Sequence, residues 1–170
     1  MTWSVREAPV PMQVSSVEAL FREHAPELGR YLVAMVRDRS LAEDLLQDTF
    51  HDALRSQAQL PRIENERAWL YGIARHQALH ALRRGRRFQR AIVRLGGSRD
   101  IVQHGDEELV ALLDLLEREL SPELRALVLL RHVHGFQAVE LAEITGLSPE
   151  TVRQRLARAR ARLIAKEGSR

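Results

Sequence analysis

Cysteine is missing from the 170-residue chain, which excludes a disulfide framework and thiolate metal sites. No apolar run approaches the ~20 residues needed to cross a bilayer. The segment from Met1 to Pro11 carries Arg6, Glu7, Pro9 and Pro11 in place of the apolar stretch of a secretory signal. A soluble, cytoplasmic protein without membrane insertion is therefore expected. Strand-like alternation of apolar and polar residues is also absent, so the expected fold class is all-α. Lysine is nearly missing: Lys166 stands alone among 26 basic residues, the rest being arginine.

Hydrophobic residues make up 45% of the chain, enough for packed cores. The formal net charge is only +3, but the charges are sorted into blocks. From Arg75 to Arg99 there are eight arginines and no acid; from Asp38 to Asp52, five acids and one arginine; from Asp106 to Glu119, six acids and one arginine. Such blocks imply separate surfaces with separate partners. Arginine suits phosphate, because its planar fork donates two parallel hydrogen bonds. A GC-rich genome raises arginine everywhere but does not cluster it.

Apolar spacing predicts helices at roughly 16–36, 40–57, 64–85, 106–119, 122–133, 137–144 and 149–166. Ser15 with Glu18 and Ser40 with Glu43 fit capping boxes. Ser121-Pro122 and Ser148-Pro149 each set a cap before a proline at the first helical position. Pro26 is expected to break or kink the first helix. Gly96-Gly97-Ser98 and Gly105 mark a flexible linker. The organisation expected is a tail at 1–15, a helical domain at 16–88, a linker at 89–106 and a second helical domain at 107–167.

Ala138, Leu141, Ala142 and Ile144 give a short helix one apolar face. Thr145-Gly146-Leu147-Ser148 follows as a turn, with Gly146 able to take a left-handed conformation. In the longer helix after Pro149, Val152, Leu156, Ala159 and Leu163 form the buried stripe. This is a helix-turn-helix layout, whose second helix enters the major groove by its amino-terminal part. Thr151, Gln154, Ala157 and Arg158 project away from the stripe, flanked by Arg153, Arg155, Arg160 and Arg162. Arginine and glutamine can pair with guanine and adenine edges; the flanking arginines and Lys166 suit phosphates.

The helix at 40–57 carries Ala42, Leu45, Thr49 and Ala53 on one side and Asp44, Gln47, Asp48 and His51 on the other, with Arg55. An acidic stripe suits a basic protein surface rather than DNA. The helix at 64–85 sets Trp69, Gly72, His76, His80 and Arg83 on one side and runs into Arg83-Arg84-Gly85-Arg86-Arg87. Cations beside an aromatic ring suit single-stranded nucleic acid. The spacing of His76 and His80 would fit a metal pair, but no carboxylate lies close in sequence and the surrounding arginines oppose a dication, so no metal is expected.

These tracts are similar to a known family. Glu43-Asp44-Leu45-Leu46-Gln47-Asp48-Thr49-Phe50 resembles the helix by which bacterial RNA polymerase sigma factors bind the polymerase clamp. Arg67-Ala68-Trp69-Leu70-Tyr71-Gly72-Ile73-Ala74-Arg75 resembles the tract that recognises and opens the −10 element. Leu120 to Arg131, Gly135-Phe136, Leu141 to Ile144 and Thr151 to Arg160 resemble the −35-binding domain. The short linker points to the extracytoplasmic-function subfamily. The resemblance implies two small helical domains, the second a helix-turn-helix domain, and no catalytic residue or cofactor. It implies polymerase contacts at Asp44, Leu45, Gln47, Asp48 and His51. For −10 DNA it implies Arg62, Asn65, Arg67, Trp69, His76, His80, Arg83 and Arg84; for −35 DNA, Thr151, Arg153, Gln154, Arg155, Ala157, Arg158 and Arg162. The partners implied are core RNA polymerase, promoter DNA (duplex at −35, single-stranded at −10) and an anti-sigma factor. His76 stands where many relatives carry asparagine, and Gly72 where a larger, basic residue is frequent. Two other readings fit parts of the chain: a free-standing helix-turn-helix regulator, and a hydrolase using Glu43, Asp44, Asp48 and His51 around a metal.

Overall fold

The computed structural model describes residues 16–92 and 107–167, with side chains for 16–85 and 107–166. Among the described residues seven α-helices follow one another: α1 Val17–Val36, α2 Arg39–Arg55, α3 Glu66–Ile92, α4 Glu107–Glu119, α5 Pro122–His132, α6 Ala138–Thr145 and α7 Pro149–Glu167. A 3-10 turn at Gln57–Arg62 joins α2 to α3; apolar periodicity does not report so short a turn. No strand occurs among the described residues.

α1 runs unbroken through Pro26. A proline inside a helix costs about 3 kcal/mol. Leu28, Tyr31, Leu32 and Met35 are each fully buried just beyond it, and burying one such side chain contributes about 1.5–3 kcal/mol. The caps differ from those expected. Ser15 lies outside the described residues; Ser16 caps α1, its Oγ accepting from Ala19 N at 3.1 Å. Asp38, not Ser40, caps α2, its carboxylate accepting from Leu41 N at 2.9 Å. α3 passes Gly85 and continues to Ile92, because an isolated glycine costs only about 1 kcal/mol in a helix. The linker expected from residue 89 thus begins inside a helix, and residues 93–106 lie outside the described residues.

α1, α2 and α3 pack together, and α4–α7 form a second group. Thr49 is buried in the first group and donates to Leu45 O at 2.7 Å. Gln77 Nε2 donates to Asp52 Oδ2 and so ties α3 to α2. The two groups share one contiguous apolar core. Arg37, at 6% exposure, ends α1 in a left-handed conformation (φ 59°) and donates to Asp114 of α4. Arg125 of α5, at 2% exposure, donates to Met35 O at 2.8 Å, covering a carbonyl at the carboxy end of α1. Glu117 faces both guanidinium groups, at 4.0 Å from Arg37 and 3.8 Å from Arg125.

Candidate nucleic-acid interface

The helix-turn-helix unit is built as its residues dictate. Gly146 takes φ 70° and ends α6, its N–H donating to Ala142 O at 2.9 Å. Ser148 Oγ accepts from Thr151 N at 3.1 Å and starts α7. Val152 and Ala159 are fully buried, while Leu156 and Leu163 pack partly buried against the core. The opposite side of α7 exposes Arg153, Gln154, Ala157, Arg158, Arg160 and Arg162. Thr151 and Arg155 are half-buried, and Thr151 Oγ1 pairs with Ser148 Oγ at 2.8 Å. Glu150 accepts from Arg153 Nη2 at 3.1 Å and from Gln154 Nε2 at 3.3 Å, so these two side chains start from an internal carboxylate.

On α2, Asp44, Gln47, Asp48 and His51 form an exposed stripe. Leu45 does not belong to it. It is 5% exposed and points into the core, where it supports the stripe from beneath and cannot itself meet a partner surface. On α3, His76 and His80 are exposed with their rings stacked, 6.4 Å between centroids and 11° apart in plane. Arg83 and Arg84 are exposed beyond them, and Arg62 is exposed in the 3-10 turn. Among the described residues, no three or more His, Asp or Glu side chains gather at one point.

The amino end of α3 is arranged differently. Asn65 caps the helix, its Oδ1 accepting from Ala68 N at 2.9 Å, and its Nδ2 donates to Glu140 of α6 at 3.0 Å. Arg67 donates to His134 O at 2.7 Å and lies over the Phe136 ring at 4.1 Å. Trp69 is half-buried beside a cavity of about 380 Å³ that Gly72, Glu143 and Ile144 also line. These three residues were expected to face single-stranded DNA; here they face the second helical group. Sequence periodicity does not find their partners, which lie more than sixty positions away and on different elements.

His134 sits between the rings of Tyr31 and Tyr71 and within 3.0 Å of the Tyr71 hydroxyl. Burial, reinforced by the Arg67 charge, pushes its pKa down from 6.5 to about 4. Burial also pushes Tyr71 up to about 12, against the opposing pull of Arg67, and holds the Arg75 guanidinium below its usual range. The charged groups acting on His134 are Glu27 and Arg30 of α1 and Arg67 of α3. The packed state excludes a proton that the unfolded ring would take below pH 6.5. His134 therefore contributes its full stability above pH 6.5, and this contribution is lost as pH falls towards about 4. The melting temperature should drop more between pH 7 and pH 5 in the parent than in a His134→Asn variant. Equal drops in a thermal melt would contradict this.

Comparison with known proteins identifies the family. The model of Sigma-70 region 2 matches residues 20–88, and that of Sigma-70, region 4 matches residues 109–163. The RNA polymerase sigma factor CarQ of Myxococcus xanthus is 34% identical over 142 residues, covering 81% of each chain. The ECF RNA polymerase sigma factor SigL of Mycobacterium tuberculosis is 30% identical over 154 residues, covering 85% of this chain and 84% of its own. Among solved structures, the sigma factor RpoE of Bartonella quintana, in complex with the anti-sigma factor NepR, superposes with a TM-score of 0.70. It is 30% identical, with 86% of this chain and 92% of that chain covered. CnrH in complex with the cytosolic domain of CnrY shares the fold, with a TM-score of 0.63, 23% identity and coverage of 90% and 88%. The chain belongs to the extracytoplasmic-function group of RNA polymerase sigma factors, the initiation factors that direct polymerase to promoters.

Proposed function

We propose that residues 16–88 form the module that docks on core polymerase and takes the −10 element, and residues 107–167 the module that reads duplex −35 DNA, with 89–106 between them. Asp44, Gln47, Asp48 and His51 meet the largest subunit of polymerase. Arg62, Asn65, Arg67, Trp69, His76, His80, Arg83 and Arg84 engage the displaced strand. Arg153, Gln154, Ala157 and Arg158 meet base edges at −35; Thr151, Arg155 and Arg162 position the backbone. Base capture offsets strand opening, since unstacking costs a few kcal/mol and stacking on protein returns part of it. The chain supplies no catalytic group; polymerase performs the chemistry in the cytoplasm. An anti-sigma factor holds the chain inactive, as NepR is found bound to the 30% identical RpoE.

The observation that carries this reading is the sorting of charge on exposed faces: carboxylates on α2, and arginines with Gln154 on α7. A polymerase surface and a duplex groove need these opposite chemistries. The test is transcription in vitro with purified core enzyme on the promoter upstream of the chain's own gene. A run-off product that needs both core and this chain is expected. Operator binding without any such product would instead identify a free-standing regulator.

A further inference from the structure

Two neighbouring polar atoms inside the fold lack a hydrogen-bond partner. The Tyr31 hydroxyl of α1 and the Arg75 Nε of α3 are both buried and unbonded among the described residues. They act on one another. Burial pushes the Tyr31 phenol up, and Arg75 is the foremost charge opposing that rise. Burial holds the Arg75 guanidinium below its usual range, and Tyr31 is foremost among the groups opposing this. The charges around the pair are unbalanced. Arg155 of α7 and Arg83, about two turns further along α3, act on Arg75 with like charge; Glu123, at the start of α5, is the carboxylate that acts on it. Among the described residues none of these three arginines makes an ion pair. Arg155 also differs from its neighbours on α7: it is half-buried, whereas Arg153, Arg158, Arg160 and Arg162 are exposed.

A half-buried guanidinium without a counter-charge costs free energy until an anion reaches it. Water would satisfy the two orphaned atoms, but it brings no charge to set against the arginines. A phosphate-class oxyanion does both, because its oxygens accept from a hydroxyl and from the planar forks of several guanidinium groups. Tyr31 is wholly buried and Arg75 half-buried. A small ion can follow the flexible Arg75 stem inward, where the backbone of a duplex cannot. We propose that Tyr31, Arg75 and Arg155 form an anion site in the free chain, which takes a small oxyanion of the phosphate class between α1, α3 and α7, with Arg83 at its rim. Neither Tyr31 nor Arg75 is assigned to polymerase or DNA, so both can be altered without touching those surfaces.

The test uses the full chain and pyrophosphate, with chloride at matched ionic strength as the reference. Two quantities are read: the melting temperature, and the dissociation constant from titration calorimetry. Pyrophosphate should raise the melting temperature of the parent above its value in chloride, since it binds the folded chain. Arg75→Gln should weaken pyrophosphate binding by roughly ten-fold or more, as loss of a charged hydrogen-bond donor implies. Arg39→Gln removes the same charge from an exposed arginine of α2 and should leave binding unchanged. Tyr31→Phe deletes one oxygen and keeps the ring, so the fold survives. In chloride it should melt no lower than the parent, because the hydroxyl it loses has no partner. Its affinity for pyrophosphate should fall by roughly five-fold or more. A lower melting temperature of Tyr31→Phe in chloride would show that water already satisfies the hydroxyl, and would overturn the site. An equal rise with pyrophosphate in the parent and in Arg75→Gln would mark a general salt effect and overturn it too. A last arm replaces pyrophosphate with a short duplex of arbitrary sequence. If the duplex stabilises the chain through Arg75 and pyrophosphate does not, the phosphate belongs to nucleic acid and the free-anion site falls.

Discussion

Asp44→Arg should weaken binding to core polymerase by at least roughly 30-fold while leaving the fold intact. Asp44 is exposed on α2, between Glu43 and the buried Leu45. Replacing an exposed side chain away from packing or caps changes stability by about 0.5 kcal/mol or less. At a charged interface the same change removes one attraction and adds a repulsion. Truncating a buried interfacial charge alone costs about 2–5 kcal/mol, so a reversal should weaken the complex by roughly 30-fold to several thousand-fold. Glu18→Arg is the control: it reverses another exposed acid, on α1 and off the stripe. Binding measured by fluorescence anisotropy should be unchanged in Glu18→Arg and weaker by at least roughly 30-fold in Asp44→Arg. Normal core binding by Asp44→Arg would remove the docking assignment.

Arg158→Ala and Gln154→Ala should each weaken −35 recognition by about 1–3 kcal/mol, or roughly 5- to 150-fold, and should relax preference at a single base pair. Both side chains stand on the exposed side of α7, opposite the buried Val152 and Ala159. Arg162→Ala should behave differently. It lies further along the helix, where a guanidinium meets phosphate. Its loss should weaken binding to all duplexes alike and reduce the salt slope by about one. Duplex titrations at several salt concentrations separate the two patterns. Equal, sequence-independent losses for all three variants would show that α7 does not read bases. Glu150 adds a detail: its carboxylate accepts from both Arg153 and Gln154. These side chains must exchange that partner for DNA, whereas Arg158 has no carboxylate to leave among the contacts described.

Much of this was legible in the sequence because helices announce themselves locally. The 3.6-residue spacing of apolar side chains, Ser121 and Ser148 before prolines, and Gly146 at the turn each act within one helical turn of themselves. The structure places them as expected. Errors fell where local signals compete. Asp38, not Ser40, caps α2 because the helix starts one residue earlier, at Arg39, which puts Ser40 inside its first turn. Gly85 looked like a helix end, but the cost of one glycine is small within a 27-residue helix. The exposed stripe on α2 and the exposed side of α7 follow from periodicity alone. The amino end of α3 did not. Asn65, Arg67 and Trp69 read as free DNA contacts because nothing nearby in sequence shows that Glu140, His134 and Ile144 come to meet them. Arg37 and Arg125 were likewise silent: two more arginines among many, until their burial and their bonds across the two groups are seen.

The most direct test of the whole account is permanganate footprinting of the −10 thymines on a promoter fragment, with core polymerase, this chain or both. Two helical modules that grip one start site on a shared enzyme should make those thymines reactive, and protect the upstream duplex, only when core and chain are present together. Reactivity with core alone, or protection of a palindromic site by the chain that core leaves unchanged, would contradict it.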